Sequence, residues 1–402
     1  MNSPASDPRI SRFPLGAAIT AARLDADPYP MLALVREQEP ISWVPSLGMW
    51  LVTGYEDVSR LLLDTERLTT ASPRSPIVDT FGQNMLTTEG TDHSRYRRAL
   101  QPSFMKPYIA EHLLAEIAAS ADELLAALGD AAEIDIRHAF AARLPVQVIL
   151  ATFGLPAGAE PLVRRWYDAF ELGLANYEGD PIIRAAAKAS AEEFRAYLQN
   201  AVHASRGNGT TTLLGRLTAE GGCDLSVTEV IQNMLIVLFG GISTVEALLL
   251  NAVWALGHRP EMLKLVREDR SLVGNVIEET MRWLSPVQSA TRYAVCDQEI
   301  LGVEVRAGDM LICSLAGANH DPRMFENPTR FDIRRPNSRR HLGFAIGPHL
   351  CLGFRLAKAE AEVGINRIID RFPDLAIVAE RSSPPTGYEF RQPRSLWLKA
   401  RG

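Results

Sequence analysis

Along most of this chain the apolar positions return every three or four residues. From about residue 92 to 256 the pattern is almost continuously helical, rich in Ala, Leu, Glu and Arg. It predicts helices over 110–128, 185–205 and 228–256, and helix continues over 261–284. Before this block, 41–52 gathers β-prone residues round a Ser46-Leu47-Gly48 turn and reads as a hairpin, followed by a short helix over 56–64. After it, 292–295, 299–305 and 310–314 read as short strands, with Gly302 and Gly308 at turns. A loop-rich stretch over 318–348 leads to a last helix over 352–372, stopped by Pro373, and 395–399 is strand-like. The fold class is mostly α with a minor β portion.

The longest apolar stretch, 234–256, is long enough to suggest a membrane span. Ser243, Thr244, Glu246 and Asn251 interrupt it and two glycines sit near its middle, so it reads as a buried core helix. A chain of 402 residues, 47% hydrophobic and 22% charged, has ample material for a large core. No Ser/Gly run, charge block or repeat divides it, so one domain over 1–402 is expected. Met1 to Arg12 is polar, proline-punctuated and lacks an apolar h-region, which argues against a signal peptide. Cys223, Cys296, Cys313 and Cys351 have neither the spacing of a disulfide framework nor that of a zinc site, and suit a reducing cytoplasm. A net charge of −6 argues against nucleic acid as the main partner. No G-x-G-x-x-G follows a predicted strand, so no flavin or nicotinamide module is expected.

The segment richest in chemistry is Phe344-Ala-Ile-Gly-Pro-His-Leu-Cys-Leu-Gly353. Gly347-Pro348 forces a turn. Cys351 then stands just before a helix whose Leu352, Leu356, Ala359 and Val363 share one face. The positive end of a helix stabilises a thiolate, and a thiolate in a glycine-lined loop is a soft anionic ligand suited to haem iron. Elsewhere, Glu279 and Arg282 stand at i, i+3 and can pair on one helix face. His93 and Arg97 stand at i, i+4 in an Arg-rich stretch with Arg95 and Arg98. Phe239-Gly-Gly-Ile-Ser-Thr244-Val places two adjacent glycines and a hydroxyl inside an apolar helix. The glycines would open the helix surface to a flat ligand, and Thr244 could instead bond back to an upstream carbonyl and bend the helix.

The loop at Cys351 resembles the haem-binding loop of the cytochrome P-450 superfamily, Phe-x-x-Gly-x-His-x-Cys-x-Gly, at Phe344, Gly347, His349, Cys351 and Gly353. Ala345 stands where glycine is frequent. The other three motifs occur in the family's order, and weaker likeness reaches Asp27-Pro-Tyr-Pro and Gly387-Tyr-Glu-Phe-Arg, so the resemblance covers essentially the whole chain. It implies the cytochrome P-450 fold, with haem b between a long central helix and the helix after the cysteine loop. It makes Cys351 the axial ligand of the haem iron, and His93, Arg97, Arg292, Phe344 and His349 further contacts of the haem. Glu279 and Arg282 become part of a structural charge network completed by Arg330 of Pro328-Thr-Arg-Phe331. The resemblance also assigns catalytic work to Thr244 and Ser243. In the family an acid precedes the threonine; here Ser243 occupies its place and Val245 follows. Glu246 is no substitute, lying about 200° round the helix from Thr244.

The implied activity is a monooxygenase that activates O2 and inserts one oxygen into a small or medium apolar substrate. Electrons would come from a separate ferredoxin and ferredoxin reductase, with Arg334, Arg335, Arg339, Arg340, Arg355 and Lys358 as a docking patch. Ile236, Phe239, Gly240, Val287 and Gln288 are the expected pocket residues, and 72–83 and 167–182 the expected entrance loops. Ser243 also keeps open a peroxide-using or otherwise atypical haem-thiolate enzyme, and a haem sensor is the remaining alternative. The expected location is the cytoplasm, away from membranes.

Overall fold

The structure, a computed structural model, describes residues 7–174, 176, 179–205, 211–219 and 221–400. The helices that concern the site are α1 (Tyr55–Leu63), α2 (Gly90–Leu100), α3 (Glu160–Leu174), α4 (Pro181–Ser205), α5 (Val227–Gly241), α6 (Ser243–Gly257), α7 (Val273–Trp283) and α8 (Phe354–Arg371). Its residues group into two compact units.

The first unit comprises Met1–Thr70, Asn251–Cys351 and Ser383–Arg394. Its frame is a five-stranded sheet of β1 (Ile41–Val44), β2 (Met49–Val52), β3 (Leu68–Thr69), β4 (Ser289–Ala294) and β5 (Met310–Ser314), in the order β1-β2-β5-β4-β3. The predicted hairpin is present, with Trp43 opposite Trp50. β2 then pairs in parallel with β5. Alternation puts Trp43, Trp50, Leu311 and Cys313 into one core cluster and Val44, Met49, Leu51 and Ile312 into another. Both faces are covered, which is why these strands read as unbroken apolar runs. The segment 299–305 is a hairpin, Gln298–Ile300 against Val303–Val305, with the expected turn at Gly302, where Leu301 and Gly302 have positive φ.

The second unit comprises Ala71–Leu250, Leu352–Ser382 and Ser395–Gly402 and is mainly helical. The predicted strand at the tail, Trp397–Lys399, pairs with Glu133–Asp135. In the long apolar stretch, 83% of the most hydrophobic window is buried inside the protein, as the core-helix reading expects. The expected single helix over 228–256 is interrupted, however. α5 ends at Gly241 and α6 begins at Ser243, with Ile242 at φ −103° and ψ −79° between them. The helical stretch over 261–284 is likewise divided, into Pro260–Glu268 and α7.

Ser226 and Glu229 form a capping box at the start of α5. Glu229 also pairs with Arg95 and accepts from Tyr96 Oη at 3.2 Å. Arg95 is therefore engaged with α5 and does not belong to a solvated basic face. These partners, Arg95 first, lower the Glu229 carboxyl from the ordinary 4.5 to about 2. A lowered carboxylate pKa stabilises the fold above the unfolded value, and that contribution is lost as pH falls through the folded one. Glu229→Gln is expected to lower Tm at neutral pH. The gap from the parent should close as pH drops from about 4.5 to about 2, and a gap independent of pH would refute the assignment.

Candidate active site

In the first unit, Cys351 sits half-buried at the end of a tightly folded loop. Its N–H donates to the Phe344 carbonyl at 2.9 Å, Leu350 N–H to Gly347 at 3.0 Å and Ala345 N–H to Leu342 at 2.7 Å. Gly347 has φ +75°, a left-handed conformation that favours glycine, and a Cβ there would press on the end of the Leu63 side chain of α1 at 2.8 Å and lie 3.5 Å from the Leu62 carbonyl. Ala345 has φ +54°, a left-handed conformation that costs an L-residue about 1–2 kcal/mol. The position at which this sequence departs from the family's usual glycine is thus one where glycine would relieve strain. α8 begins at Phe354 with Gly353 as N-cap, so Cys351 lies two residues ahead of the cap, slightly further from the helix end than expected.

Two buried side chains that carry nitrogen donors, Arg292 and His349, belong to this part of the chain. Arg292, on β4, donates to the Leu62 carbonyl at 3.5 Å, the same carbonyl that Gly347 approaches, and to Thr291 O at 2.9 Å. His349 Nε2 lies 3.5 Å from Thr70 Oγ1.

The loop is braced by α7. Arg282 and Glu279 have side chains with no exposed surface and pair in a fork, at 2.9 and 2.7 Å. The remaining Arg282 donors reach the carbonyls of Asn319, Pro328 and Arg330. The third charged member is Arg335, whose Nε lies 3.1 Å from Glu279 and whose other nitrogens bind the carbonyls of Glu326, Asn327 and Arg330. This corrects the expectation for Arg330. That residue contributes only its carbonyl and its side chain is exposed, because the chain turns at Asn327, with φ +46°, and carries the later arginine back under α7. Arg335 is correspondingly lost from the expected docking patch, its side chain being 6% exposed. Asn319 and His341 are further braces that sequence reasoning missed. Asn319 accepts from Leu342 N–H and donates to Ser285 Oγ, while His341 pairs with Glu278 at 3.1 Å and accepts from Gly343 N–H. Nothing in their local sequence distinguishes them.

In the second unit, the break between α5 and α6 defines the chemistry. From Asn233 to Val253 every residue is buried except Gly240, Gly241 and Thr244. The glycine pair divides its work. A Cβ on Gly241 would meet Ile149 at 2.9 Å, so this glycine allows close packing, whereas Gly240 is exposed and faces open space. Thr244 Oγ1 donates back to the Gly240 carbonyl at 2.7 Å, as the helix-bending alternative supposed. Glu246 is buried and paired with Arg137 at 2.7 Å, away from Thr244. Burial raises its carboxyl and Arg137 opposes that shift. Ser243 is 1% exposed and its Oγ completes no hydrogen bond.

Among the expected pocket residues, Ile236 and Phe239 are buried. Phe239 joins an aromatic cluster with Phe81 and Tyr167, at 5.8 and 5.7 Å between centroids. Val287 packs in the first unit's core, and Gln288 donates to the Ser285 carbonyl and lines a small pocket with Ser289 and Tyr388. The expected entrance loops are largely helical. Pro76–Phe81 forms one turn-and-a-half, and Tyr167 lies within α3, pointing inward. Ala175, Tyr177 and Glu178 lie outside the described residues. Asp79 is held by Arg184 at 2.6 Å and Lys188 at 2.7 Å, tying Pro76–Phe81 to α4. On α2, His93 is buried and Arg97 half-buried one turn on, while Arg98 is exposed.

Taken unit by unit, these residues fit a haem. They include a half-buried thiol outside any disulfide, imidazole and guanidinium donors suited to carboxylates, and a bare, open stretch of helix at Gly240 beside a hydroxyl.

Comparison with known proteins points the same way. Residues 181–387 match the family model described as Cytochrome P450. The chain is 31% identical to the cytochrome P450 monooxygenase PikC of Streptomyces venezuelae, over 88% of this chain and 85% of that one. It is 29% identical to the 6-deoxyerythronolide B hydroxylase of Saccharopolyspora erythraea, over 87% and 90%. Among solved structures it superposes on P450BioI in complex with a hexadec-9Z-enoic acid ligated acyl carrier protein. The TM-score is 0.86 at 26% identity, covering 95% of this chain and 99% of that one.

Proposed function

The chain belongs to the cytochrome P450 family and has its fold, and from that premise we propose how its residues serve the family's reaction. It is an oxygen-incorporating oxidoreductase, a monooxygenase acting on a small molecule, with haem as cofactor and O2 as co-substrate. When bound, haem supplies the activation of O2 and the insertion of one oxygen atom into the substrate. What the protein adds is ligation, orientation and a proton path.

Cys351 would hold the haem iron through its sulfur. Its loop, pinned through Leu342 to Asn319 and through Gly343 to His341, fixes the sulfur before any ligand arrives. His93, Arg97, Arg292 and His349 are the residues that would bind the haem carboxylates, and Phe344 would pack beside the Cys351 sulfur. Glu279, Arg282 and Arg335 brace the loop and do not take part in chemistry. Thr244 presents a hydroxyl at the open stretch of helix, and Ser243 stands in for the family's acid. The observation that carries this reading is that Gly240, Gly241 and Thr244 alone interrupt a buried run of 21 residues.

The apolar residues Ile236 and Phe239, with Phe81 and Phe170, favour an apolar substrate. Relatives named for polyketide biosynthesis and vitamin D(3) 25-hydroxylation add polyketides and vitamin D(3) to the candidate substrates. Electrons come from a separate ferredoxin and its reductase. Arg334, Arg339 and Arg340 are exposed just before the cysteine loop, and Arg355 and Lys358 follow it; such cations suit an acidic partner. The protein acts as one functional domain in the cytoplasm.

Thr244→Ala tests the reading. Ferredoxin-driven oxygen consumption should continue while product per O2 falls about tenfold, the scale of one lost transition-state interaction. Unchanged coupling would remove Thr244 from the mechanism. Ser243 also motivates a second reading, turnover driven by peroxide. A parent enzyme faster with peroxide than with NADH, ferredoxin and reductase would favour it.

A further inference from the structure

We infer that Tyr167 is a positioning residue, which donates its phenolic hydrogen to Ser243 Oγ and so fixes the hydroxyl next to Thr244. The inference rests on the reading of Ser243 and Thr244 given above. It starts from two buried hydroxyls on different helices of one unit. Tyr167, on α3, is 4% exposed and Ser243, the first residue of α6, is 1% exposed. Neither oxygen has measurable solvent contact and neither completes a hydrogen bond. A buried tyrosine hydroxyl ordinarily finds a partner.

The geometry supplies one. The Tyr167 ring stacks on Phe239 with centroids 5.7 Å apart and planes 14° apart. Phe239 lies near the end of α5, and Ser243 opens α6 just beyond the break, four residues on. Ser243 faces the phenol with both its hydroxyl and its backbone amide, though the oxygens are not in hydrogen-bond geometry. The break at Ile242 matters here, because an interrupted helix leaves N–H groups at its new start to be satisfied from outside. Burial, with Glu171 and Glu246 nearby, raises the phenol well above its ordinary value, so it stays neutral and able to donate.

Either hydroxyl can donate or accept; in the proposed arrangement the neutral phenol, held by its stack on Phe239, donates and Ser243 Oγ accepts. The Ser243 hydrogen is directed away from Tyr167, while Thr244 donates to Gly240 O. Without the phenol, Ser243 is free to bond back to a carbonyl of the preceding turn, the usual alternative for a serine in a helix. The missing acid is thus replaced by a hydroxyl whose direction a second helix holds.

The test uses the holoenzyme with Tyr167→Phe, Ser243→Ala and the double variant. Phenylalanine keeps the stack on Phe239, so a space-filling role predicts no change. We expect Tyr167→Phe to lower product per O2 by about threefold to tenfold, the worth of one hydrogen bond, and to change the solvent deuterium isotope effect on coupling. Ser243→Ala should do likewise, and the double variant should be no worse than either single one. Unchanged coupling in Tyr167→Phe, or losses that multiply in the double variant, would overturn the assignment. The reduced, carbon monoxide-saturated spectrum separates the two readings. With a thiolate-type band in all variants, a flat result overturns only the role of Tyr167, and without that band in the parent both readings fall.

Discussion

Cys351→Ala abolishes the strongly red-shifted Soret band that the reduced, carbon monoxide-saturated parent is expected to show, and with it monooxygenase turnover. The spectrum is the direct check, because it reports thiolate ligation independently of any substrate. The other thiols are poor alternatives. Cys313 is fully buried in the sheet core, where desolvation pushes its pKa up to about 11. Cys223 Sγ lies 3.3 Å from the Leu217 carbonyl, and Cys296 is exposed beyond the end of β4. Cys313→Ala should therefore keep the band. A band that survives in Cys351→Ala, or disappears in Cys313→Ala, would displace Cys351 as the ligand.

The second large effect is on stability. Glu279→Ala should destabilise the protein by about 3–5 kcal/mol, since removing one member of a buried charge network leaves the others uncompensated. Arg282 would remain with no exposed surface and Arg335 nearly so. Burial already lowers the Arg282 pKa, and the bond to Glu279 is the main influence opposing it. The same change loosens the support of the cysteine loop, so haem retention should fall as well. Denaturant unfolding measures the first effect, and haem loss to an acceptor protein the second. Arg335→Ala should resemble Glu279→Ala, and Arg330→Ala should remain within about 0.5 kcal/mol of the parent. The reverse order would reinstate Arg330, and a loss below about 1 kcal/mol for Glu279→Ala would mean the network is not holding the loop.

Much of the site was legible because its signals are local. Gly347-Pro348 and the histidine and cysteine that follow fix a turn within ten residues, and the hairpin at β1 and β2 announces itself through the Ser46-Leu47-Gly48 turn and β-prone flanks. Helix existence was legible for the same reason, since the 3.6-residue period needs only one element to be read. The break at Ile242 was legible only as a weak point: Gly240, Gly241, Ser243 and Thr244 are poor helix formers, but whether a buried helix breaks there depends on packing such as that of Gly241 against Ile149. The choice of Arg335 over Arg330 was hidden, because five arginines stand between 330 and 340 and only the turn at Asn327 selects among them.

By itself, then, the sequence determined the helical character of the chain, the cysteine loop, the pairing of Glu279 with Arg282 and the surface glycine and threonine of the core helix. All are set by side-chain spacing within one element or by residues that admit few backbone conformations. The tertiary structure alone decided which arginine completes the network, that Glu246 is spent on Arg137, and that Tyr167 stacks on Phe239. Each of these is a pairing across elements. Its energy depends on burial and distance between residues far apart in the chain, and neither quantity is written in the local order of residues.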